Sequence, residues 1–297
     1  MMNWINRISN YVKATKYNIG FIDGDLESVI EGNCNCIRVN WLKHNYHDRW
    51  FADPFILDVT ESELVVLVEE WYDPIQRGRI SKLVIDRRTF RLKDLKVMID
   101  DGTHLSFPAI ERDGEDIYIH PESSVKGRLE NYRYNKDKDC FEKCGVLCKL
   151  PLTDSVMTRN FGQKLLFSTK LPDANGKELG IYVWDEEKKE YVEESSYYFE
   201  ENISRNAGNF FTYRCKIIRP AQVCIKSYGD SISLQEVFNI NNQWSFKEIK
   251  RLYSPHPDLD LGFHTFNVYK GVIVVDAIGY RRAMLCHILR NLKHLIN

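Results

Sequence analysis

The stretch "WFADPFIL", residues 50–57, places an aspartate, Asp53, at the head of an apolar run that is typical of a buried strand. A carboxylate in a dry core costs several kcal/mol unless it is paired. Asp53 therefore either begins a turn before Pro54 or faces a polar space shared with other elements. Four later motifs likewise place polar or small residues before a strand: "LSFPAIE", "TDSVMT", "RNAGNFF" and "HTFNVY".

These five motifs recur at a regular interval. Anchored at Pro54, Pro108, Ser155, Gly208 and Thr265, they lie 54, 47, 53 and 57 residues apart. Each is followed by short strands separated by turn residues, and the interval is typical of propeller blades of about four strands. The sequence therefore predicts an all-β fold, a five-bladed β-propeller, with a two-sheet sandwich as the alternative.

Two further segments complete the predicted organisation. Residues 17–23, "YNIGFID", read as a strand that closes the ring, and helical periodicity is confined to part of 3–16 and to 280–296. We expect an N-terminal segment (1–44), a propeller (45–280) and a C-terminal amphipathic helix (281–297). The helix either packs on the propeller or touches a membrane surface.

Composition narrows the classes of function. The net charge of −1 predicts neither a nucleic-acid nor a membrane partner through bulk electrostatics. The N-terminus lacks the apolar core of a signal peptide, so we expect a cytoplasmic protein whose eight cysteines are reduced thiols. Dinucleotide-binding, P-loop, serine-elbow and zinc-protease motifs are absent from the sequence.

Polar residues cluster at the predicted inner ends of the blades. If the inner strands converge on one axis, these side chains meet in a central channel filled with solvent. Paired carboxylates in different environments suit glycosyl chemistry, in which one stays ionised and another is held protonated. The candidates for this chemistry and for sugar binding are Asp53, Glu122, Asp154, Glu69, Glu70, His104, Arg205, Arg219, Gln222, Tyr228, His264 and Asp276.

Plainer roles remain open for several of these residues. Asp154 could form an Asx turn, and Glu122 in "HPESS" could be an exposed loop charge. One of Glu69 and Glu70 could be solvated, because successive strand residues face opposite sides. Arg219 in "IIRPAQ" either pairs structurally or binds a phosphate or carboxylate.

Nine motifs in order carry a family resemblance: "WFADPFIL", "VEEW", "HLSFPAI", "YIHPESS", "LTDSVM", "NAGNFF", "IIRPAQ", "SYGDSISL" and "GFHTFNVY" with "VVDAIG". Over residues 45–280 the chain resembles the N-terminal domain of plant glucosamine inositolphosphorylceramide transferases. The same domain occurs alone in bacterial proteins linked to surface polysaccharide synthesis. The family is similar in fold to the five-bladed propellers of glycoside hydrolase family 43.

The resemblance implies roles for three carboxylates. Asp53 matches the base or nucleophile, Glu122 the second carboxylate, and Asp154 an orienting or pKa-tuning group. Two positions depart from the family pattern, because Asn209 replaces an arginine and Val223 replaces an aspartate. The resemblance also implies a separate transferase domain in the plant proteins, and we expect none within these 297 residues.

Together these observations favour a glycosyltransferase of surface polysaccharide or glycolipid biosynthesis. The expected partners are an activated donor, either a nucleotide sugar or a sugar phosphate, and a glycan or glycolipid acceptor. Arg219 and His264 are expected to hold donor phosphate or sugar hydroxyls. No metal ligand or cofactor is assigned, with a divalent cation left open. The alternatives are a glycoside hydrolase acting on furanosides and a non-catalytic sugar-binding propeller.

Overall fold

The computed structural model describes residues 14–32 and 37–282. Within these ranges the chain forms twenty strands, arranged as five four-stranded antiparallel sheets. Each sheet is one blade, so the predicted all-β, five-bladed propeller is confirmed.

The strands follow the order expected of successive blades. Two strands precede the first complete blade: β1 (Thr15–Asp23) and β2 (Arg38–Trp41). The first blade contains β3 (Arg49–Val59), β4 (Glu63–Tyr72), β5 (Arg77–Asp86) and β6 (Leu92–Ile99). The second contains β7 (Ser106–Asp113), β8 (Asp116–Glu122), β9 (Leu129–Asn135) and β10 (Cys140–Cys148). The third contains β11 (Leu152–Thr158), β12 (Leu165–Lys170), β13 (Glu178–Asp185) and β14 (Glu190–Tyr198). The fourth contains β15 (Phe211–Tyr213), β16 (Lys216–Val223), β17 (Ser231–Ile240) and β18 (Gln243–Leu252).

The fifth blade joins the two ends of the described chain. Its order is β19 (Phe266–Tyr269), β20 (Val272–Tyr280), β1 and β2. Strand β1 pairs antiparallel with β20 from Thr15 opposite Tyr280 to Phe21 opposite Val274. The described propeller therefore begins at Thr15, and residues 17–23 lie inside its last blade.

Apolar side chains fill the spaces between neighbouring blades. One cluster joins Phe55 and Leu67 of the first blade to Phe107 of the second and Val156 of the third. All four are buried, and β-branched and aromatic residues of this kind suit a pleated sheet covered on both faces. Such packing fixes the blades against one another and so fixes the inner strands around the axis.

Helical structure is sparse in the part of the chain that the structure describes. A single short α-helix, α1 (Leu26–Glu31), is capped by Asp25, whose Oδ1 accepts a hydrogen bond of 2.9 Å from the backbone N–H of Ser28. Among the described residues no helix has the length and apolar character needed to cross a membrane. Of the predicted C-terminal helix, the structure describes only residues 281–282, which form a turn, so the helix is not supported. Residues 283–297 lie outside the described ranges, as do residues 3–13.

Candidate active site

Three inner strands are distorted at the same point of the repeat. Asp53, Phe107 and Asp154 have φ of 49°, 43° and 45°, in the left-handed region that side chains other than glycine rarely adopt. At each of these positions the pairing with the second strand is interrupted by a register shift. A conformation of this kind costs about 1–3 kcal/mol and persists only where the surroundings enforce it.

Carboxylates of the preceding blade hold these strained positions. The backbone N–H of Asp53 donates to Asp276 Oδ2 at 2.8 Å, and that of Phe107 donates to Asp53 Oδ2 at 3.1 Å. The N–H of Asp154 donates in the same way to Glu122 Oε2, also at 3.1 Å. The hydrogen bonds that enforce the backbone thus draw carboxylates from successive blades towards the axis.

A histidine lies against one end of this chain of contacts. His264 Nδ1 is 2.6 Å from Asp276 Oδ1, its Nε2 is 3.6 Å from Asp53 Oδ1, and Thr265 Oγ1 donates to the same Asp53 oxygen at 3.1 Å. Burial lowers the pKa of His264, but the charge and hydrogen bond of Asp276, together with the charges of Asp53 and Asp154, outweigh burial and raise that pKa to about 9. His264 is therefore a cation at neutral pH.

An arginine bridges the other two catalytic candidates. Arg205 Nε donates to Asp154 Oδ2 at 2.6 Å, and its Nη2 donates to Glu122 Oε2 at 3.1 Å. Gln222 Nε2 donates to the same Asp154 oxygen at 2.6 Å. Asp154 and Glu122 therefore share one guanidinium group.

Two of these carboxyl groups titrate near neutrality. Burial raises the pKa of Asp53 to about 7; His264 opposes this rise, and the charges of Asp154 and Asp276 add to it. Burial also raises the pKa of Asp154 to about 7, where Arg205 opposes and Glu122 adds to the effect. Groups with such pKa values exchange protons efficiently at physiological pH and are common in active sites.

We call this group the carboxylate centre: Asp53, Glu69, Glu122, Asp154 and Asp276, with Arg205 and His264. Burial raises the pKa of Glu69 well above its usual value, and the charge of Asp53 adds to this effect. Two predicted residues form its exposed rim. His104, whose side chain is 42% exposed, has its Nε2 3.7 Å from Glu69 Oε1, and the ring of Tyr228 stands edge-on to His264 at 5.4 Å. Ten of the twelve predicted residues therefore lie in or beside one site, Gln222 among them.

Glu70 lies elsewhere. Alternate strand residues face opposite sides, so Glu70 points away from Glu69. Its Oε1 accepts from Arg49 Nη1 at 2.7 Å, and its Oε2 accepts from Arg79 Nε at 2.9 Å and from Ser81 Oγ at 2.6 Å. This residue is wholly buried and paired, so the predicted role in substrate binding does not fit its position.

Arg219 is likewise occupied within the protein. It is completely buried, and it donates to Asn206 Oδ1 at 2.8 Å, to Gln235 Oε1 at 2.7 Å and to the carbonyl of Ser204. Burial lowers the pKa of Arg219 to about 9. The predicted contact with a donor phosphate is therefore wrong for this geometry. Arg219 instead holds Asn206, whose Nδ2 donates to the backbone carbonyl of Asp154 at 2.8 Å.

The expectation of a solvent-filled channel around Asp53 also needs correction. Asp53 is 4% exposed and Asp154 is 2% exposed. The hydrogen bonds between blades close the axis around these carboxyl groups. His104 and Tyr228 keep exposed surface at the rim of the centre.

Two contributing residues were not singled out as site residues by the sequence. Thr265 bonds Asp53, and the ring of Tyr17 stacks against His264 at 4.9 Å and lies 5.0 Å from the ring of Trp50, an aromatic residue that the sequence suggested for stacking on a sugar. A signal existed for both, because Thr265 anchors the fifth motif and Tyr17 opens the predicted ring-closing strand.

One trio in the centre has the residue types of a metal site. The candidate ligand atoms of Asp53, His264 and Asp276 lie within 4.8 Å of one another. Hydrogen bonds already engage them, since Asp276 Oδ1 faces His264 Nδ1 and also accepts from the N–H of Thr265 at 3.0 Å. A cation would have to displace the proton that His264 shares with Asp276, so the trio fits a hydrogen-bonded relay better than a cation site.

The fold and site define a class of protein, a five-bladed propeller with acidic side chains at its axis. Solved structures of this fold include a glycoside hydrolase family 43 β-xylosidase/α-arabinofuranosidase from a compost microbial metagenome, in complex with xylotriose. It shares 9% identity, with a TM-score of 0.54 over 80% of this chain and 93% of that one. A second β-xylosidase shares 11% identity, with a TM-score of 0.51 over 77% of this chain and 92% of that one. These likenesses concern the fold alone.

Sequence comparison identifies the family. Residues 32–258 match the family described as glucosamine inositolphosphorylceramide transferase 1, N-terminal, and the chain belongs to that family. The glucosamine inositolphosphorylceramide transferase 1 of Oryza sativa subsp. japonica is 26% identical over 215 residues, and that of Arabidopsis thaliana is 25% identical over 213. Each match covers 69% of this chain, which spans about 28% of the length of these curated relatives. The predicted resemblance is confirmed.

Proposed function

We propose that this propeller is a glycosyltransferase of glycolipid or surface polysaccharide biosynthesis. It transfers a sugar from a nucleotide sugar or sugar phosphate to a glycan or glycolipid acceptor. The observation that carries the proposal is geometric: Asp53, Glu122 and Asp154 come from three blades and are held at the axis by hydrogen bonds to distorted backbone positions and to Arg205. Burial also raises the pKa values of Asp53 and Asp154. Membership of a family named after a glycolipid transferase supports the substrate class.

Asp53 is the proposed base. Burial raises its pKa towards neutrality, and the Thr265 hydroxyl and the Phe107 N–H hold one oxygen each. Asp53 takes the proton of the acceptor hydroxyl while that oxygen bonds to the anomeric carbon of the donor sugar. The bond from the anomeric carbon to the donor phosphate breaks, and the phosphate leaves with the electron pair.

The Glu122–Asp154 pair serves the other side of the reaction. Glu122 is the second carboxylate, and Asp154 orients Arg205 across both groups. The guanidinium stabilises negative charge near the leaving oxygen. His264 contributes a fixed positive charge beside Asp53, and His104 and Tyr228 contact the sugar from the rim.

The proposal includes a location. The proposed location is the cytoplasm, and the amphipathic segment 281–297 is proposed to rest against the membrane that carries a glycolipid acceptor. Fractionation of cells expressing the full chain checks both points. Recovery in the membrane fraction that is released by high salt supports peripheral contact, and recovery in the soluble fraction alone contradicts it.

A donor screen tests the proposed chemistry. Nucleotide sugars and sugar phosphates are offered with candidate glycan and glycolipid acceptors to the wild type, to Asp53→Asn and to the control Asp137→Asn, which changes an exposed acid. Transfer by the wild type and the control, with loss in Asp53→Asn, supports the proposal. Cleavage of an aryl furanoside without consumption of any donor identifies a glycoside hydrolase instead. An Asp53→Asn variant that restores full glycan synthesis to cells lacking the protein identifies a sugar-binding module.

A further inference from the structure

The propeller has two faces, and the carboxylate centre lies towards one of them. In each blade the second strand runs antiparallel to the innermost one, so it ends where the innermost strand begins. Glu69, Glu122 and Gln222 lie near the ends of three such second strands. The loops that follow the second strands, and the loops that lead into the innermost strands, therefore lie on the side of the centre. We call this side the site face.

Four loops of the site face each expose one aliphatic side chain. We call these residues the loop aliphatics: Ile75 after β4, Val125 after β8, Leu171 after β12 and Ile225 after β16. Their exposed fractions lie between 37% and 70%, and none of them belongs to an apolar core cluster of the described chain. Because the loops come from four successive blades, the loop aliphatics are distributed around the carboxylate centre.

The opposite face has turns of a different character. They are charged or polar, as in "TESE" (60–63), "NKDKD" (135–139) and "DEEKKE" (185–190). Among the residues that the structure describes, eleven large apolar side chains are exposed, and only Phe238 and Ile240 belong to the opposite face. The other nine are the loop aliphatics and Tyr46, Leu150, Tyr198, Tyr228 and Tyr253. Single exposed apolar residues are ordinary on a protein surface, but their concentration on one face indicates a surface that is covered.

The arrangement of these side chains fits a lipid surface. The loop aliphatics lie on separate loops of different blades, whereas a protein interface is built around a continuous apolar core. Separate apolar side chains can each enter the boundary between headgroups and acyl chains, while the polar residues beside them stay in the headgroup layer. Tyrosines, which are four of the other five exposed residues, are enriched at membrane–water interfaces.

The chain also leaves the described ranges on the site face. Strand β20 runs past Asp276 of the carboxylate centre and ends at Tyr280, opposite Thr15 of β1. Residues 283–297, "AMLCHILRNLKHLIN", continue from this end, and their sequence is rich in apolar residues and contains no acidic one. The segment already proposed to contact a membrane thus departs from the face that carries the loop aliphatics.

We infer that the propeller docks on a lipid bilayer through its site face, with the loop aliphatics inserted at the level of the headgroups. The inference rests on the proposed function and deepens it, because it states how the enzyme meets a glycolipid acceptor. Docking in this orientation places His104 and Tyr228, at the rim of the carboxylate centre, against the headgroup layer. The sugar of the acceptor reaches the centre while its lipid tails remain in the bilayer.

Flotation of the full chain with vesicles of phosphatidylcholine and phosphatidylglycerol in equal amounts tests the inference. The double variant Val125→Ser/Ile225→Ser removes two loop aliphatics, and Phe238→Ser/Ile240→Ser removes two exposed apolar side chains from the opposite face. We expect the control to bind within about twofold of the wild type, and Val125→Ser/Ile225→Ser to bind at least about tenfold more weakly, because less apolar surface enters the bilayer. Absence of wild-type binding, or equal weakening by both variants, overturns the inference.

Fluorescence quenching by brominated phosphatidylcholine tests the orientation without removing an apolar side chain. The emission added by Val125→Trp should be quenched by brominated vesicles, and the emission added by Ile240→Trp, on the opposite face, should not. Equal quenching of the two, or quenching of the second alone, overturns the inference. Sedimentation gives one further outcome: self-association that is lost in Val125→Ser/Ile225→Ser, without vesicle binding, assigns the site face to a second copy of the chain and also overturns it.

Failure of the inference is distinguishable from failure of the proposed function. With a donor in hand, transfer is compared between a glycolipid held in vesicles and the same glycan freed of its lipid. Val125→Ser/Ile225→Ser should lose transfer to the vesicles and keep transfer to the free glycan within about twofold, because the loop aliphatics act through docking. Transfer to vesicles that this variant leaves unchanged removes the docking and keeps the transferase. Vesicle binding through the loop aliphatics without turnover of any donor removes the transferase and keeps the docking.

Discussion

Glu69 and Glu70 are neighbours on one strand, both buried, yet they belong to opposite kinds of environment. Glu70 faces two arginines and a serine hydroxyl, so its charge is neutralised and its oxygens are satisfied. Glu69 faces the carboxylate centre, where acidic groups outnumber cations and burial raises its pKa well above the usual value. The Glu70 cluster (Glu70, Arg49, Arg79 and Ser81) and the carboxylate centre thus bury charge in two different ways.

The two environments suit different roles: the Glu70 cluster suits a structural role and the carboxylate centre suits a chemical one. A paired buried charge holds β-strands together, and its loss leaves the partner charges buried without a counter-charge. An excess of like charge destabilises the folded state but keeps protons mobile near neutral pH, which is useful in a catalyst. An excess of buried like charge violates the rule that buried charges are paired, and proteins violate such rules mainly at functional sites.

The largest expected difference between the two regions is in activity. Asp53→Asn removes the proposed base while keeping an acceptor for the Phe107 N–H, so kcat/KM for sugar transfer should fall about 10³-fold. Glu70→Gln, measured at a temperature where it remains folded, should retain activity within about tenfold. Steady-state assays check both values, and an equal loss in the two variants contradicts the distinction.

The next effect concerns stability. Glu70→Gln leaves Arg49 and Arg79 without their shared carboxylate, so the free energy of unfolding should fall by about 3 kcal/mol. Urea denaturation at pH 7 measures this quantity, with exposed Glu61→Gln as the control. A loss no larger than that of the control would mean that the Glu70 cluster is not a structural pair.

A smaller effect of opposite sign is expected in the carboxylate centre. The pKa of Asp53 is about 7 in the folded state and about 4 in the unfolded state, so between these values the folded state binds the extra proton. Stability of the wild type therefore falls as pH rises from about 4 to about 7. The melting temperature of Asp53→Asn relative to wild type should increase by about 5 °C between pH 4 and pH 8.

Scanning calorimetry at several pH values checks this prediction. Asp137→Asn is the matched control, because Asp137 is exposed and its change should leave the difference constant. A relative melting temperature of Asp53→Asn that stays flat, or that falls with pH, would show that Asp53 is ionised without penalty in the folded protein.

The smallest expected effect lies at alkaline pH. The pKa of His264 is raised to about 9, so its contact with Asp276 stabilises the fold fully below about pH 6.5 and is lost as pH rises through 9. As pH rises from about 6.5 through 9, the melting temperature of His264→Gln should therefore fall by about 3 °C less than that of the exposed control His47→Gln. Identical slopes in the two variants would contradict a charged His264.

The fold was predictable because its signals are local and repeated. Strand alternation and turn residues recur within each blade, and the interval between "FADPFIL" and its four counterparts counts the blades. The same repeat located Asp53 and Asp154, which occupy equivalent distorted positions of the first and third blades. Phe107 occupies this position in the second blade, where Glu122 comes from the adjacent strand instead.

The errors arise where partners are distant in the chain. Alternation separates Glu69 from Glu70 but does not say which one faces the axis, and Arg49 is 21 residues away from Glu70 in sequence. Arg219 looked like a ligand for phosphate because nothing in "IIRPAQ" reveals Gln235 or the Ser204 carbonyl.

Closure of the ring by β1 has a consequence for biosynthesis. The backbone N–H of Asp53 donates to Asp276, which lies 223 residues later in the chain. Asp276 is on β20, and β20 pairs with β1, a strand that is synthesised near the start. Translation adds about 5–20 residues per second, so the first blade waits many seconds for that acceptor. A nascent or prematurely terminated polypeptide that stops before β20 thus lacks both Asp276 and the partner strand of β1. Catalytic competence would be conferred by the last blade to leave the ribosome.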